Sequence, residues 1–228
     1  MTRARPVIAI DGPSASGKSS VARRIADDLG FTYLNTGAMY RAVAIAFKDA
    51  GLTPHDPQLE ERIAPMLDSI EIDFEGEKVL LNGRDVTSDI TRLDIGDLAS
   101  SYSTLAPVRA KLRDLQRAIG AAGGIVMEGR DIGTVVFPDA EFKFYFDASP
   151  EVRAARRLAQ LEANGVKTSR DEVLRELAER DRRDSARENA PLRRADDAIM
   201  IDSSNLTFEQ AVSALEEVIQ GAHPRKRA

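Results

Sequence analysis

The chain contains no cysteine, which excludes disulfides, thiolate metal sites and a cysteine nucleophile. Histidine is nearly as scarce, with only His55 and His223, so no metal site can be built from several imidazoles. Long apolar runs are missing as well. A basic start, residues 1–5, leads into the run 7–10, but Asp11 ends it too soon for a signal peptide. No stretch approaches the length of a membrane span, so a cytoplasmic protein with no membrane partner is expected. There is no basic excess either: the formal charge of -5 argues against a general grip on nucleic acid.

What the chain does carry is a core-forming composition, 43% hydrophobic and 30% charged over 228 residues, enough for one α/β domain with a small insertion or lid. Lysine occurs only seven times among 32 basic residues, which leaves 25 arginines. Guanidinium groups bind carboxylates and phosphates through two hydrogen bonds, so small anionic ligands suit this chain. A solvated helix surface accounts for the same composition.

Residues 7–10 are apolar and β-branched and run into a glycine turn, the pattern of a buried parallel strand. Helical spacing of Val21, Ala22, Ile25, Ala26 and Leu29 follows and stops at Gly30. A short strand at 32–35 and a helix at 38–50 come next. Residues 57–94 change character: 70–74 alternate with period two, and Asn82-Gly83 is a hairpin turn signal. Beyond them are a helix at 107–119, strands at 125–127, 142–146 and 198–201, and helices at 150–164, 170–189 and 208–219. Alternating strands and helices predict a parallel sheet covered on both faces. The expected division is a core of 6–56, 95–150 and 190–220, an insertion at 57–94, lid helices at 151–189 and a disordered tail at 221–228.

The strongest motif is Gly12-Pro13-Ser14-Ala15-Ser16-Gly17-Lys18-Ser19, which meets every fixed position of G-x-x-x-x-G-K-[ST] between a strand and a helix. Backbone N–H groups of such a loop and the helix N-terminus hold anions. Lys18 reaches the β- and γ-phosphates, and the Ser19 hydroxyl suits Mg²⁺. Gly12, Pro13, Ser14, Ala15, Ser16, Gly17, Lys18, Ser19 and Ser20 are therefore the expected ATP-binding residues. The motif names a nucleoside triphosphate and not a reaction. The Asn-Lys-x-Asp sequence of guanine-reading switches is missing, which lowers that alternative.

Phosphoryl transfer between two anions needs fixed cations on both sides. Arg41, Arg109 and Arg130 lie near expected strand ends or helix starts, and ligands gather at the carboxyl ends of strands, where Thr36, Arg130 and Asp131 fall. Arg153, Arg156 and Arg157 share one helix face by spacing, as do Arg180, Asp184 and Arg187. Glu151, Glu162, Glu172, Glu176 and Glu179 interleave with them, so surface ion pairing explains these faces equally well. Glu128 and Asp147 are rival acids for a magnesium-bound water, and spacing does not separate them.

Four motifs carry a resemblance: Asp11-Gly12-Pro13-Ser14; Thr36-Gly37-Ala38-Met39-Tyr40-Arg41; the run from Gly129-Arg130-Asp131 to Pro138; and Glu179-Arg180-Asp181-Arg182-Arg183-Asp184 leading to Ala190-Pro191-Leu192. Over residues 7–219 the chain resembles the bacterial cytidylate kinases, within the nucleoside-monophosphate kinases. The resemblance implies a P-loop three-layer α/β fold, its parallel sheet flanked by helices, with a β-hairpin-containing nucleotide-binding insertion and a helical lid. It implies a monomer that transfers the γ-phosphate of ATP, with Mg²⁺, to CMP or dCMP. UMP or AMP as acceptor, or a nucleotide-dependent switch, are the alternatives.

The resemblance further implies that Thr36, Ser100, Arg109 and Asp131 read cytosine or fix the nucleotide. Asp131 accepts from the exocyclic amine, which uracil lacks. Arg41, Arg130, Arg180 and Arg187 contact sugar and phosphate, and Asp184 joins Arg180 at the sugar hydroxyls. Lys18, Arg130, Arg153, Arg157, Arg180 and Arg187 form the expected catalytic set, and Ser19 and Glu128 the metal set. Asn35, Thr36 and Glu128 stand where members often carry Asp, Ser and Asp.

Overall fold

The structure, a computed structural model, describes residues 3–222. They form two compact units, one made of the chain up to Leu34 and from Gly120 onward, the other of Asn35–Ile119. Among the described residues, no helix is long and apolar enough to cross a membrane.

The first unit is built on a five-stranded sheet of order β2-β6-β1-β7-β8, with β1 Val7–Asp11, β2 Thr32–Asn35, β6 Ile125–Gly129, β7 Phe142–Asp147 and β8 Ile199–Asp202. The pairs β1–β6, β1–β7 and β7–β8 are parallel. Every residue of β1 and of β6 is buried, as two covered faces require. Alternation along β7 sends Phe142, Phe144 and Phe146 into one cluster with Val21 and Ile25 of α1 (Lys18–Leu29) and Leu215 and Ile219 of α8 (Phe208–Ala222). Each such fully buried side chain contributes roughly 1.5–3 kcal/mol by transfer from water.

Helices α6 (Pro150–Ala163) and α7 (Arg170–Ser185) pack on each other in this unit. Ser149 caps α6 and a reciprocal Ser169–Glu172 capping box starts α7. Helix α7 stops at Ser185, four residues before the expected end at 189, so Arg187 lies beyond it and not on its face. A π-helical turn, Ile132–Val136, follows β6. Its wide geometry shows in the Val136 N–H bonding Asp131 O at 3.1 Å and the Phe137 N–H bonding Ile132 O at 2.7 Å. Helix α8 runs to Ala222, within the expected tail; the rest of that tail, residues 223–228, lies outside the described residues.

The second unit contains α2 (Thr36–Asp49), α3 (Leu59–Ser69), the antiparallel strands β3 (Ile72–Glu75), β4 (Lys78–Leu81) and β5 (Arg84–Asp85), then α4 (Leu93–Tyr102) and most of α5 (Ala106–Gly120). The hairpin expected at 57–94 is present, and Asn82 and Gly83 both take left-handed φ values, 50° and 76°. The unit is wider than that insertion, because α2 packs against α4 and β4. Phe47 and Tyr102 meet edge to face at 5.0 Å, and the Tyr102 hydroxyl donates to Leu52 O at 3.0 Å.

Candidate active site

Strand β1 delivers the chain to Gly12 with φ 150°, and a Cβ there would stand 2.0 Å from the Phe146 carbonyl oxygen. Only glycine lets the loop leave the sheet at this point. Gly17, at φ 93°, opens α1 without a side-chain cap, so the first N–H groups of α1 meet no cap from its own N-cap residue. Lys18 is buried, and its ammonium donates to Pro13 O at 2.9 Å. Burial lowers Lys18 to about 7, and Arg130 and Arg180 push the same way. Glu128 and Asp11 oppose this shift, and a bound anion would act in the same sense as they do.

Ser19 donates from Oγ to Glu128 Oε2 at 2.8 Å, and Tyr33 donates from its hydroxyl to Oε1 at 2.5 Å. Asp147 instead accepts from the N–H of Ala148 at 2.8 Å, a local bond. Of the two rival acids, Glu128 is the one joined to the loop's hydroxyl. Neighbouring hydroxyl and carboxylate oxygens beside a phosphate loop fit a hard divalent cation that takes its other ligands from phosphate and water.

The arginines divide. Asp184 is 2% exposed and accepts from Arg130 Nε at 3.0 Å and from Arg187. Burial pushes the Asp184 carboxyl up, but Arg130, Arg187 and Arg180 outweigh it and hold the group below its ordinary value. Arg153 donates to Ser14 O at 3.2 Å and to Asp181 at 2.6 Å. Arg156 donates to Ser16 O at 2.9 Å, to Ser203 Oγ at 3.0 Å and to Ser203 O at 2.8 Å. Two of the three expected lid arginines therefore brace the phosphate loop. Arg157 reaches Gln160 of its own helix at 3.0 Å and, across to α7, Glu176 at 3.7 Å, an ion pair between the two helices.

In the second unit Thr36 begins α2 and is buried, and Asn35 Oδ1 caps that helix by accepting the Ala38 N–H at 3.2 Å. Asn caps a helix as well as Asp does. Arg41 donates to Ile90 O at 2.7 Å. Arg109 is buried, donates to Ser103 O at 3.2 Å, and stands 5.6 Å from the Tyr40 ring centre. Ser100 is buried, and its hydroxyl has no hydrogen-bond partner among the described residues.

Three residues were given no role by the sequence reading. Tyr33 meets Glu128 across 95 residues of chain, so no local spacing announces the pair. Ser203 donates to Ser16 O at 2.8 Å from just past β8, and the rule that sites sit at strand ends would have found it. Asp11 accepts the N–H groups of Ile132 at 2.8 Å and Gly133 at 2.7 Å while fully buried.

A family model described as cytidylate kinase matches residues 8–221. The cytidylate kinase of Thermodesulfovibrio yellowstonii is 48% identical over 221 residues, covering 96% of this chain and all of that protein. That of Citrifermentans bemidjiense is 45% identical over 218 residues, covering 94% and 92%. A crystal structure of an uncharacterized protein from Eubacterium ventriosum aligns with a TM-score of 0.53 over 95% of this chain and 99% of that one. At 12% identity that likeness is one of fold.

Proposed function

Because this chain belongs to the cytidylate kinase family, we propose that it transfers the γ-phosphate of ATP to CMP or dCMP, giving ADP and CDP or dCDP. The observation that carries the chemistry is the Lys18–Ser19 loop tied to Glu128, with Arg130 and Arg180 close enough to depress Lys18.

A phosphate oxygen of the acceptor attacks the γ-phosphorus of ATP in line as the bond to the ADP oxygen breaks. The acceptor is already an anion, so no general base is required. Lys18 and the loop N–H groups hold the β- and γ-phosphates, and Arg130, Arg153, Arg180 and Arg187 offset charge on the transferred group. Ser19 and Glu128 would hold the magnesium that arrives with ATP, which would neutralise part of the phosphate charge. Asp131 accepts from the cytosine amine; Thr36, Ser100 and Arg109 fix the nucleotide, and Arg41 with Asp184 holds its sugar and phosphate. The unpartnered Ser100 hydroxyl supports this reading.

An ADP-release assay across CMP, dCMP, UMP and AMP tests the proposal. CMP and dCMP should stimulate ATP consumption most, with CDP or dCDP appearing in equal amount. Slow hydrolysis unaffected by any nucleoside monophosphate would refute it. Asp131→Ala should raise KM for CMP more than KM for ATP; equal changes would remove Asp131 from the base-reading role.

A further inference from the structure

Strands β1 and β6 end side by side, with Asp11 in register opposite Gly129. One strand runs straight into Gly12 of the phosphate loop and the other into Arg130 and Asp131. From the end of β1 the Asp11 side chain crosses to the second loop, where its two carboxylate oxygens each accept one backbone N–H, from Ile132 and Gly133. Those are the first two amides after Asp131, and they open the π-helical turn.

We infer that Asp11 is a positioning residue, whose carboxylate fixes the backbone behind Arg130 and Asp131 and so sets the acceptor-binding groups against the start of the donor loop. This rests on the cytidylate kinase reading of Arg130 and Asp131.

Packing alone does not explain a carboxylate here. Asp11 is 4% exposed and Asp131 lies close enough to repel it. Burial, with Asp131 adding, pushes Asp11 up to about 7 despite the two N–H groups and Lys18. A buried acid with these neighbours costs stability, and a neutral group of the same shape would cost less. What only the ionised carboxylate supplies is two acceptor oxygens with no competing donor, which hold both amides at once.

Asp11→Asn tests this, because the amide keeps the shape and one acceptor but sets an N–H₂ against one of the two amides. Its melting temperature should stay within a few degrees of that of the wild type, since relief of the buried charge offsets the lost hydrogen bond. KM for CMP should rise by about tenfold, the effect of roughly one lost hydrogen bond, while KM for ATP stays within about twofold. An unchanged KM for CMP, or equal rises in both constants together with a lower melting temperature, would overturn the positioning role. Should the variant fail to fold, hydrogen exchange in the wild type decides. Saturating CMP should slow exchange of the Ile132 and Gly133 amides several-fold, and unchanged rates would overturn the inference. A wild type that makes CDP beside an unaffected Asp11→Asn removes only this role; a wild type that makes no CDP removes the reading beneath it.

Discussion

Asp184→Ala removes a carboxylate that is 2% exposed and leaves Arg130 and Arg187 without their shared anion. Breaking a buried ion pair by deleting one partner costs about 3–5 kcal/mol. The Arg187 side chain is 6% exposed and cannot recover by hydration, whereas Arg130 at 17% keeps some access to water. The lower end, about 3 kcal/mol, is therefore expected. For a chain of this size each kcal/mol lowers the melting temperature by about 2–4 °C, so the fall should be about 6–12 °C in differential scanning calorimetry at neutral pH. Since Asp184 is held below its ordinary value of 3.8, its contribution is present above that value and is lost as the pH falls further. The difference between variant and wild type should accordingly shrink in acid. Adding Arg187→Ala removes one of the two guanidinium groups that lost Asp184, so the double variant should be less destabilised than the two single changes summed. A fall under about 2 °C, with strictly additive double-variant behaviour, would show that water already screens these groups and would refute the reasoning.

Lys18, lowered to about 7 in the free enzyme, is mostly neutral at pH 8 and must take up a proton to meet phosphate. ATP affinity should fall up to tenfold per pH unit above 7, and calorimetry at pH 8 in buffers of different ionisation enthalpy should register proton uptake on binding. Lys18→Ala should cut turnover by orders of magnitude with the melting temperature preserved within a few degrees. Arg156→Ala removes three hydrogen bonds between the loop, α6 and Ser203, so KM for ATP should rise by about tenfold with little change for CMP in steady-state kinetics. Asn35→Asp should leave stability within about 0.5 kcal/mol, whereas Asn35→Ala should cost about 1 kcal/mol in thermal unfolding through loss of the α2 cap.

Local signals were legible and distant ones were not. The phosphate loop could be read because its spacing, its strand and its helix are contiguous. The Asn82-Gly83 turn was equally plain, since two left-handed residues in a row admit few other side chains. Helix α3 gave no clear sign: Pro65 sits inside it and lowers the helical preference of that stretch. Helix α4 holds Gly96 and is secured by packing on α2, which overrides propensity. Arg187 shows a different limit. Helical spacing assigned it to the Asp184 face, yet the helix has ended at Ser185, and the chain brings it back to the carboxylate outside that geometry. For Arg153 and Arg156, periodicity found the face but not its object, because the carbonyls they bind lie about 140 residues earlier in sequence.

The wide turn after β6 holds five residues where its first and last bonds span i to i+5. Such a turn accommodates one residue more than the tighter helix into which it could relax. Shortening it by one would therefore be conformationally easy, yet would rotate everything on its leading edge by about a hundred degrees. The surplus residue thus acts as a spacer between the end of β6 and the chain that leaves the turn at Phe137.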